Sequence, residues 1–215
     1  MPEVFPRHTM VKPSSRAWAA LMTHRPDLGI EPLVAGWADA GFPLVVRRAL
    51  CDETPQTISL GLPLPPAQGK RRIALTLDRT DILAAEPPPL LSDAVVSAPV
   101  SWHACIDRLV RFDPSVRTFG SLAWQYLTGL PYLSAGSDLD LLWQSPTDGE
   151  IEALLEGISA IEQISPMRID GEIDSAAGAV QWRELRNAGA DSVLVKTLNG
   201  VIAVPRVDLF VGSMQ

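Results

Sequence analysis

Ser134-Ala135-Gly136-Ser137-Asp138-Leu139-Asp140-Leu141-Leu142-Trp143 places two acids two residues apart in an apolar run. On a β-strand, residues two apart share a face, so Asp138 and Asp140 project together while Leu139 and Leu141 enter the core. Paired carboxylates on an otherwise apolar strand repel each other, and a cation between them relieves that repulsion. Metal-assisted nucleotidyl transfer requires such a pair, because positive charge activates an attacking hydroxyl and neutralises a leaving pyrophosphate. An isolated D-x-D also occurs as a turn acid followed by a solvated strand acid. The surrounding residues decide between the two readings.

A third carboxylate from a neighbouring strand completes such a cage. Met167-Arg168-Ile169-Asp170-Gly171-Glu172-Ile173 reads as that strand, with Asp170 and Glu172 on one face. Asp170 is preferred because Gly171 beside it is expected to leave backbone room for a ligand; Glu172 is the alternative. Upstream, Gly120-Ser121 marks a strand-to-helix turn able to aim N–H groups and a hydroxyl at a phosphate. Gly136-Ser137 abuts the acids directly, so either pair fits that role, and Gly120-Ser121 is preferred.

The chain around this stretch reads as two parts. Glu86-Pro87-Pro88-Pro89 followed by Ser97-Ala98-Pro99 cannot continue a helix or a central strand. The expected organisation is a substrate-binding domain over 1–85, a Pro-rich linker over 86–99 and a catalytic domain over 100–215. In the first part, Pro32 opens a helix running through Trp37 to Gly41, and strands are expected over 43–48, 58–62 and 73–77. In the second, Ser101 caps a helix with Trp102, Cys105, Ile106, Leu109 and Val110 on its apolar stripe. A short helix over 122–127 ends at Gly129. Thr147 and Glu150 form a capping box before a helix bearing Ile151, Leu154, Leu155, Ile158 and Ile161. Strands over 192–198 and 201–204 flank Asn199-Gly200, a hairpin signal. Strands and helices in this order predict an α+β fold on a mixed sheet.

Charge narrows the function. The chain of 215 residues has net charge −7, with ten Lys/Arg against nine Asp/Glu over 1–90 and eight against sixteen over 91–215. An acidic second half argues against a nucleic-acid groove along it. No window is apolar enough to span a membrane, and residues 1–7 lack a signal pattern, so a cytoplasmic protein is expected. Cys51 and Cys105 are expected to be ordinary buried thiols. The histidines His8, His24 and His103 show no zinc spacing.

The set of Gly-Ser at a helix start, D-x-D on a strand and a distant acid on a second strand resembles the DNA polymerase beta nucleotidyltransferase superfamily. It departs in spacing: sixteen residues separate Ser121 from Asp138. A narrower resemblance covers nearly the whole chain in order. TFGSLAWQYLTGLPYL at 118–133 and SDLDLL at 137–142 look like the malonate decarboxylase holo-acyl-carrier-protein synthases, the phosphoribosyl-dephospho-CoA transferases. Agreement continues in GFPLVVRR at 41–48, LGLPL at 60–64, GKRRI at 69–73, IDGE at 169–172, WREL at 182–185 and VLVK at 193–196.

The resemblance implies a reaction. A serine of the apo acyl carrier subunit attacks triphosphoribosyl-dephospho-CoA, and pyrophosphate leaves. It implies Asp138 and Asp140 as ligands of Mg²⁺, with Mn²⁺ as a substitute, and Asp170 as third ligand or base. Arg47, Arg48, Lys70, Arg71 and Arg72 are the cations expected to bind the polyanionic donor. Adjacent residues on a strand face opposite ways, so at most one of Arg47 and Arg48 is expected to reach it directly. Lys196 is a phosphate contact or an edge-strand guard. Arg183 and Glu184 brace the site or pair with each other, and Trp182 stacks on adenine or fills the core. Two other readings remain: a generic nucleotidyltransferase using ATP or another nucleoside triphosphate, and a non-catalytic binding module on the same fold.

Overall fold

The computed structural model describes residues 5–50, 53–54, 56–144, 146, 150–187 and 191–210. The chain forms two compact units that divide between Pro88 and Pro89. The fold is α+β.

The first unit contains β1 (Met10–Pro13), α1 (Ser15–His24), α2 (Pro26–Gly29), α3 (Pro32–Ala35), β2 (Leu44–Val46), β3 (Thr57–Pro63), β4 (Arg72–Asp78) and β5 (Ile82–Glu86). Its sheet, ordered β4-β3-β2-β1-β5, is antiparallel throughout. Period-two alternation sends Leu60, Leu62, Leu75 and Leu77 inward, with Leu60 opposite Leu75. Trp18 and Trp37 are fully buried, and both indole N–H groups are satisfied: Trp18 donates to the Val34 carbonyl at 2.8 Å and Trp37 to that of Pro43 at 2.9 Å. The helix expected from Pro32 to Gly41 stops at Ala35, and turns carry the chain on to Gly41 at φ +73°.

The second unit contains α4 (Leu91–Ala94), α5 (Val100–Phe112), β6 (Arg117–Thr118), α6 (Gly120–Thr128), β7 (Leu139–Trp143), α7 (Ile151–Glu162), β8 (Ile169–Ser175), β9 (Gly178–Gln181), α8 (Trp182–Arg186), β10 (Ser192–Lys196) and β11 (Val201–Pro205). The sheet order is β11-β10-β9-β8-β7-β6. Only the β7–β8 pair is parallel among the described strands. A parallel pair needs a crossover, which α7 supplies.

One face of this sheet is the core. Leu139, Leu141 and Trp143 of β7 and Ile169 and Ile173 of β8 pack with Leu91, Trp102, Ile106, Leu109, Leu155 and Ile158 from the helices. Gly171 lies on this face, where an added Cβ would sit 2.6 Å from the Trp143 ring and 2.5 Å from the Leu141 carbonyl oxygen. The space beside Gly171 is therefore filled by the indole and is not room for a ligand, contrary to the expectation from sequence.

The linker expected over 86–99 is shorter in the structure. Glu86 ends β5, and Leu91 and Ala94 are fully buried in the second unit's core. The prolines divide the units, but the apolar residues after them already belong to a helix. The cap of α5 is Pro99, with Ser101 inside the helix. Thr147 of the expected capping box and Cys51 lie outside the described residues; α7 starts at Ile151 with Glu150 as its N-cap, not at the third helical position that the box required. Cys105 is a free, buried thiol. Among the described residues, no helix is long and apolar enough to cross a membrane.

Candidate active site

Register builds the second sheet's other face. In the parallel β7–β8 pair, Asp140 stands opposite Asp170 and Leu142 opposite Glu172. Registered residues point the same way, and strands lie about 4.8 Å apart, so Asp140 and Asp170 are adjacent on one face. The Leu139 N–H donates to the Arg168 carbonyl at 2.9 Å, continuing the pairing back to Asp138. All three acids are part-buried. Asp140 and Asp170 thus share the face opposite the apolar core, and Asp138 stands just before β7, two residues from Asp140.

Two Gly-Ser pairs compete for the place beside these acids, and geometry separates them. Gly120 takes φ +63°, and a Cβ there would collide with the carboxylate of Asp140. Only glycine combines that left-handed backbone with so close an approach. The neighbouring backbone is fastened to the same acid residue: the Phe119 N–H and the Thr118 hydroxyl donate to the Asp140 carbonyl at 3.1 and 2.9 Å. Ser121 lies one residue on, in the first turn of α6. A Cβ added at Gly136 would meet nothing within 4 Å among the described residues beyond its chain neighbours. The Ser137 hydroxyl closes a local turn, accepting from the Ser134 N–H at 2.9 Å.

The acids do not close on one point. Among the described residues, no group of three His, Cys, Asp or Glu side chains is gathered tightly enough to hold an ion. Like charges spread apart and turn to nearby donors. Oδ1 of Asp170 accepts from its neighbour Gly171 N–H at 3.0 Å and from Gln181 Nε2 at 2.6 Å. Asp138 Oδ2 lies 3.9 Å from the exposed Arg168 guanidinium. As a donor set, carboxylates from β7, from the residue just before it and from β8 supply the hard oxygens that suit a magnesium-type cation.

Glu172 is engaged elsewhere. It is 5% exposed and accepts from Lys196 Nζ at 2.7 Å. The reading of Lys196 as an edge guard is corrected, because β11 pairs with β10 and covers that side. Trp182 is a core residue, fully buried, donating to the Ile169 carbonyl at 3.3 Å. Arg183 and Glu184 do not pair with each other. Glu184 accepts from the Leu194 N–H at 2.6 Å, and Arg183 bonds to Glu162 and to the Ile169 carbonyl. The bond to Glu162 raises the Arg183 guanidinium above its ordinary pKa against burial, and the charges of Asp170 and Asp138 add to the effect.

The first unit separates its cations. Arg47 donates to Glu53, to the Leu60 carbonyl at 2.9 Å and to the Arg48 carbonyl at 2.8 Å. Burial alone would raise the Glu53 carboxyl. The donors Arg47, the Leu50 N–H and the Ser59 hydroxyl outweigh it and hold the carboxyl below its ordinary value. Arg71 pairs with Glu31. Arg48, Lys70 and Arg72 are exposed. Arg47 lies beside Ser59 at one end of β3, whereas Arg72 is opposite Pro63 at the other. Four residues of strand separate these rows, about 13 Å.

Sequence reading passed over Gln181. Glutamine is not a preferred helix cap, so nothing in the sequence marked it as the partner of Asp170.

Models of the two domains of one family cover the chain in order: the phosphoribosyl-dephospho-CoA transferase MdcG N-terminal domain matches 6–88 and its C-terminal domain matches 90–207. The chain belongs to that family. As a phosphoribosyl-dephospho-CoA transferase family member, it is an enzyme of the transferase class. A phosphoribosyl-dephospho-CoA transferase of Bradyrhizobium diazoefficiens is 40% identical over 212 residues, covering 96% of this chain and 93% of that one. Proteins of the same name from Xanthomonas campestris pv. campestris and Klebsiella pneumoniae are 41% and 30% identical, covering 85% and 88% of this chain and 87% and 92% of theirs. No solved structure matches the chain. The family models meet either side of residue 89, where the structure divides.

Proposed function

We propose that this enzyme transfers a phosphoribosyl-dephospho-CoA group from its triphosphate donor to a serine of the apo acyl carrier subunit of malonate decarboxylase. The observation that carries the chemistry is the registered pair Asp140–Asp170, with Gly120 packed against Asp140. The serine oxygen bonds to the α-phosphorus while the bond from that phosphorus to the pyrophosphate oxygen breaks, and its electrons leave with pyrophosphate. The hydroxyl proton passes to a site carboxylate, Asp170 in this reading. Asp138, Asp140 and Asp170 would hold magnesium or manganese, which supplies positive charge against the phosphate oxygens.

Asp170 is favoured over Glu172 as third acid because Lys196 already holds Glu172. Gly120 and Ser121 hold the backbone against which the donor's phosphates fit. Arg48, Lys70 and Arg72, exposed in the first unit, suit a polyanionic ligand, whereas Arg47 and Arg71 are committed to Glu53 and Glu31.

The test offers the protein apo carrier subunit together with the triphosphate donor or ATP, with and without EDTA, and reads intact mass. A carrier heavier by the phosphoribosyl-dephospho-CoA group, formed only without EDTA, is the expected result. A gain of AMP would make it a generic nucleotidyltransferase. No modification with any donor would leave a binding module.

A further inference from the structure

Gln181 is the last residue of β9 and the N-cap of α8, and its side-chain amide joins two groups. Its Oε1 accepts from the Arg183 N–H at 2.5 Å and the Glu184 N–H at 3.3 Å. Its Nε2 donates to Asp170 Oδ1 at 2.6 Å. The amide cannot be flipped. Backbone N–H groups only donate, so the carbonyl oxygen must face the helix, which leaves the NH₂ for the carboxylate.

Both donors to Asp170, Gln181 Nε2 and the Gly171 N–H, land on Oδ1. Among the described residues, Oδ2 accepts no hydrogen bond. A carboxylate held by two donors on one oxygen has its plane fixed and presents the other oxygen in a set direction. The side chain that fixes it is neutral, so it adds no charge to a face that already carries Asp140 and Glu172. A Lys or Arg there would pair with Asp170 and compete with a cation.

We propose that Gln181 is a positioning residue, aiming Oδ2 of Asp170 toward the ion and phosphate held by Asp138 and Asp140. The proposal rests on the reading of Asp170 as a ligand. Groups that orient a ligand typically account for about 10–100-fold in metal affinity or activity.

Gln181→Ser separates this role from helix capping. Serine is a favoured N-cap and keeps an acceptor for the α8 N–H groups, but it is too short to reach Asp170. Mn²⁺ binding would be followed by electron paramagnetic resonance on the full chain without donor, beside thermal melts and turnover. The expected result is Mn²⁺ affinity reduced about 10-fold, kcat reduced by a similar factor, little change in donor KM and a melt close to wild type. Gln181→Ser in an Asp170→Ala background should cost almost nothing more in either readout, because the residue acts through Asp170.

Unchanged Mn²⁺ affinity and kcat in Gln181→Ser would overturn the proposal, as would equal losses in both backgrounds. Failure of both Gln181→Ser and Gln181→Thr to fold would make the amide a structural strut and overturn it too. The underlying site reading fails differently: Asp170→Ala alone would then leave Mn²⁺ binding and turnover intact.

Discussion

The acids of the second unit are brought onto one sheet face by strand register, whereas the cations of the first unit disperse. Asp140 and Asp170 are adjacent because a parallel register puts them opposite each other. Arg47 and Arg72 mark opposite ends of one antiparallel sheet, and both Arg47 and Arg71 already pair with glutamates. Period-two alternation on paired strands turns spacing in sequence into adjacency in space. Charges at turns carry no such rule, since their neighbours depend on how each turn closes.

The contrast is tested hardest at the acids. Asp140→Asn keeps the shape and removes the charge, so turnover should fall by about 10³-fold or more, while the melting temperature holds or rises as repulsion is relieved. Turnover near wild type in a steady-state transfer assay would remove Asp140 from the chemistry. Gly120→Ala comes next. Its left-handed backbone costs about 1–2 kcal/mol with a side chain, and the methyl displaces Asp140. About a 100-fold loss of turnover is expected, since small misplacements cost that much, together with a lower melting temperature.

The first unit should respond in stability more than in chemistry. Arg47→Ala leaves Glu53 part-buried without its guanidinium, at a cost of about 1–3 kcal/mol in urea unfolding, with turnover per folded molecule largely kept. The Glu53 carboxyl is depressed in the fold. Its contribution is therefore complete above the unfolded carboxylate range and is lost as pH falls through the lower folded value. Glu53→Gln should flatten that acid-side loss in melts taken across the window. Arg72→Ala should have the smallest effect: a few-fold rise in donor KM and no change in melting. If Arg47→Ala instead raised donor KM strongly without destabilising, the division between bracing and binding cations would be redrawn.

Strand periodicity made β3, β4, β7 and β8 legible in the sequence, because their apolar residues alternate against a core, while the Asn199-Gly200 turn marked the β10–β11 hairpin, whose β11 is largely exposed. β9 was not legible: Gly178-Ala179-Val180-Gln181 is short, and Gly178 needs φ +135°. The pairing of Asp138 and Asp140 could be read directly. Their neighbourhood could not, since Gln181 lies eleven residues from Asp170 and meets it only after β8 turns back into β9. The choice between Gly120 and Gly136 also waited on structure, because only the fold sets the Asp140 carboxylate against Gly120.

Gly171 gives the two faces of the sheet a mechanical link. Its missing side chain lets the Trp143 ring and the Leu141 carbonyl lie close against β8. A methyl group there would wedge β8 away from β7 from the oily side. The gap between Asp140 and Asp170 would widen with it, so a purely apolar substitution would act as a change of ligand spacing on the wet side.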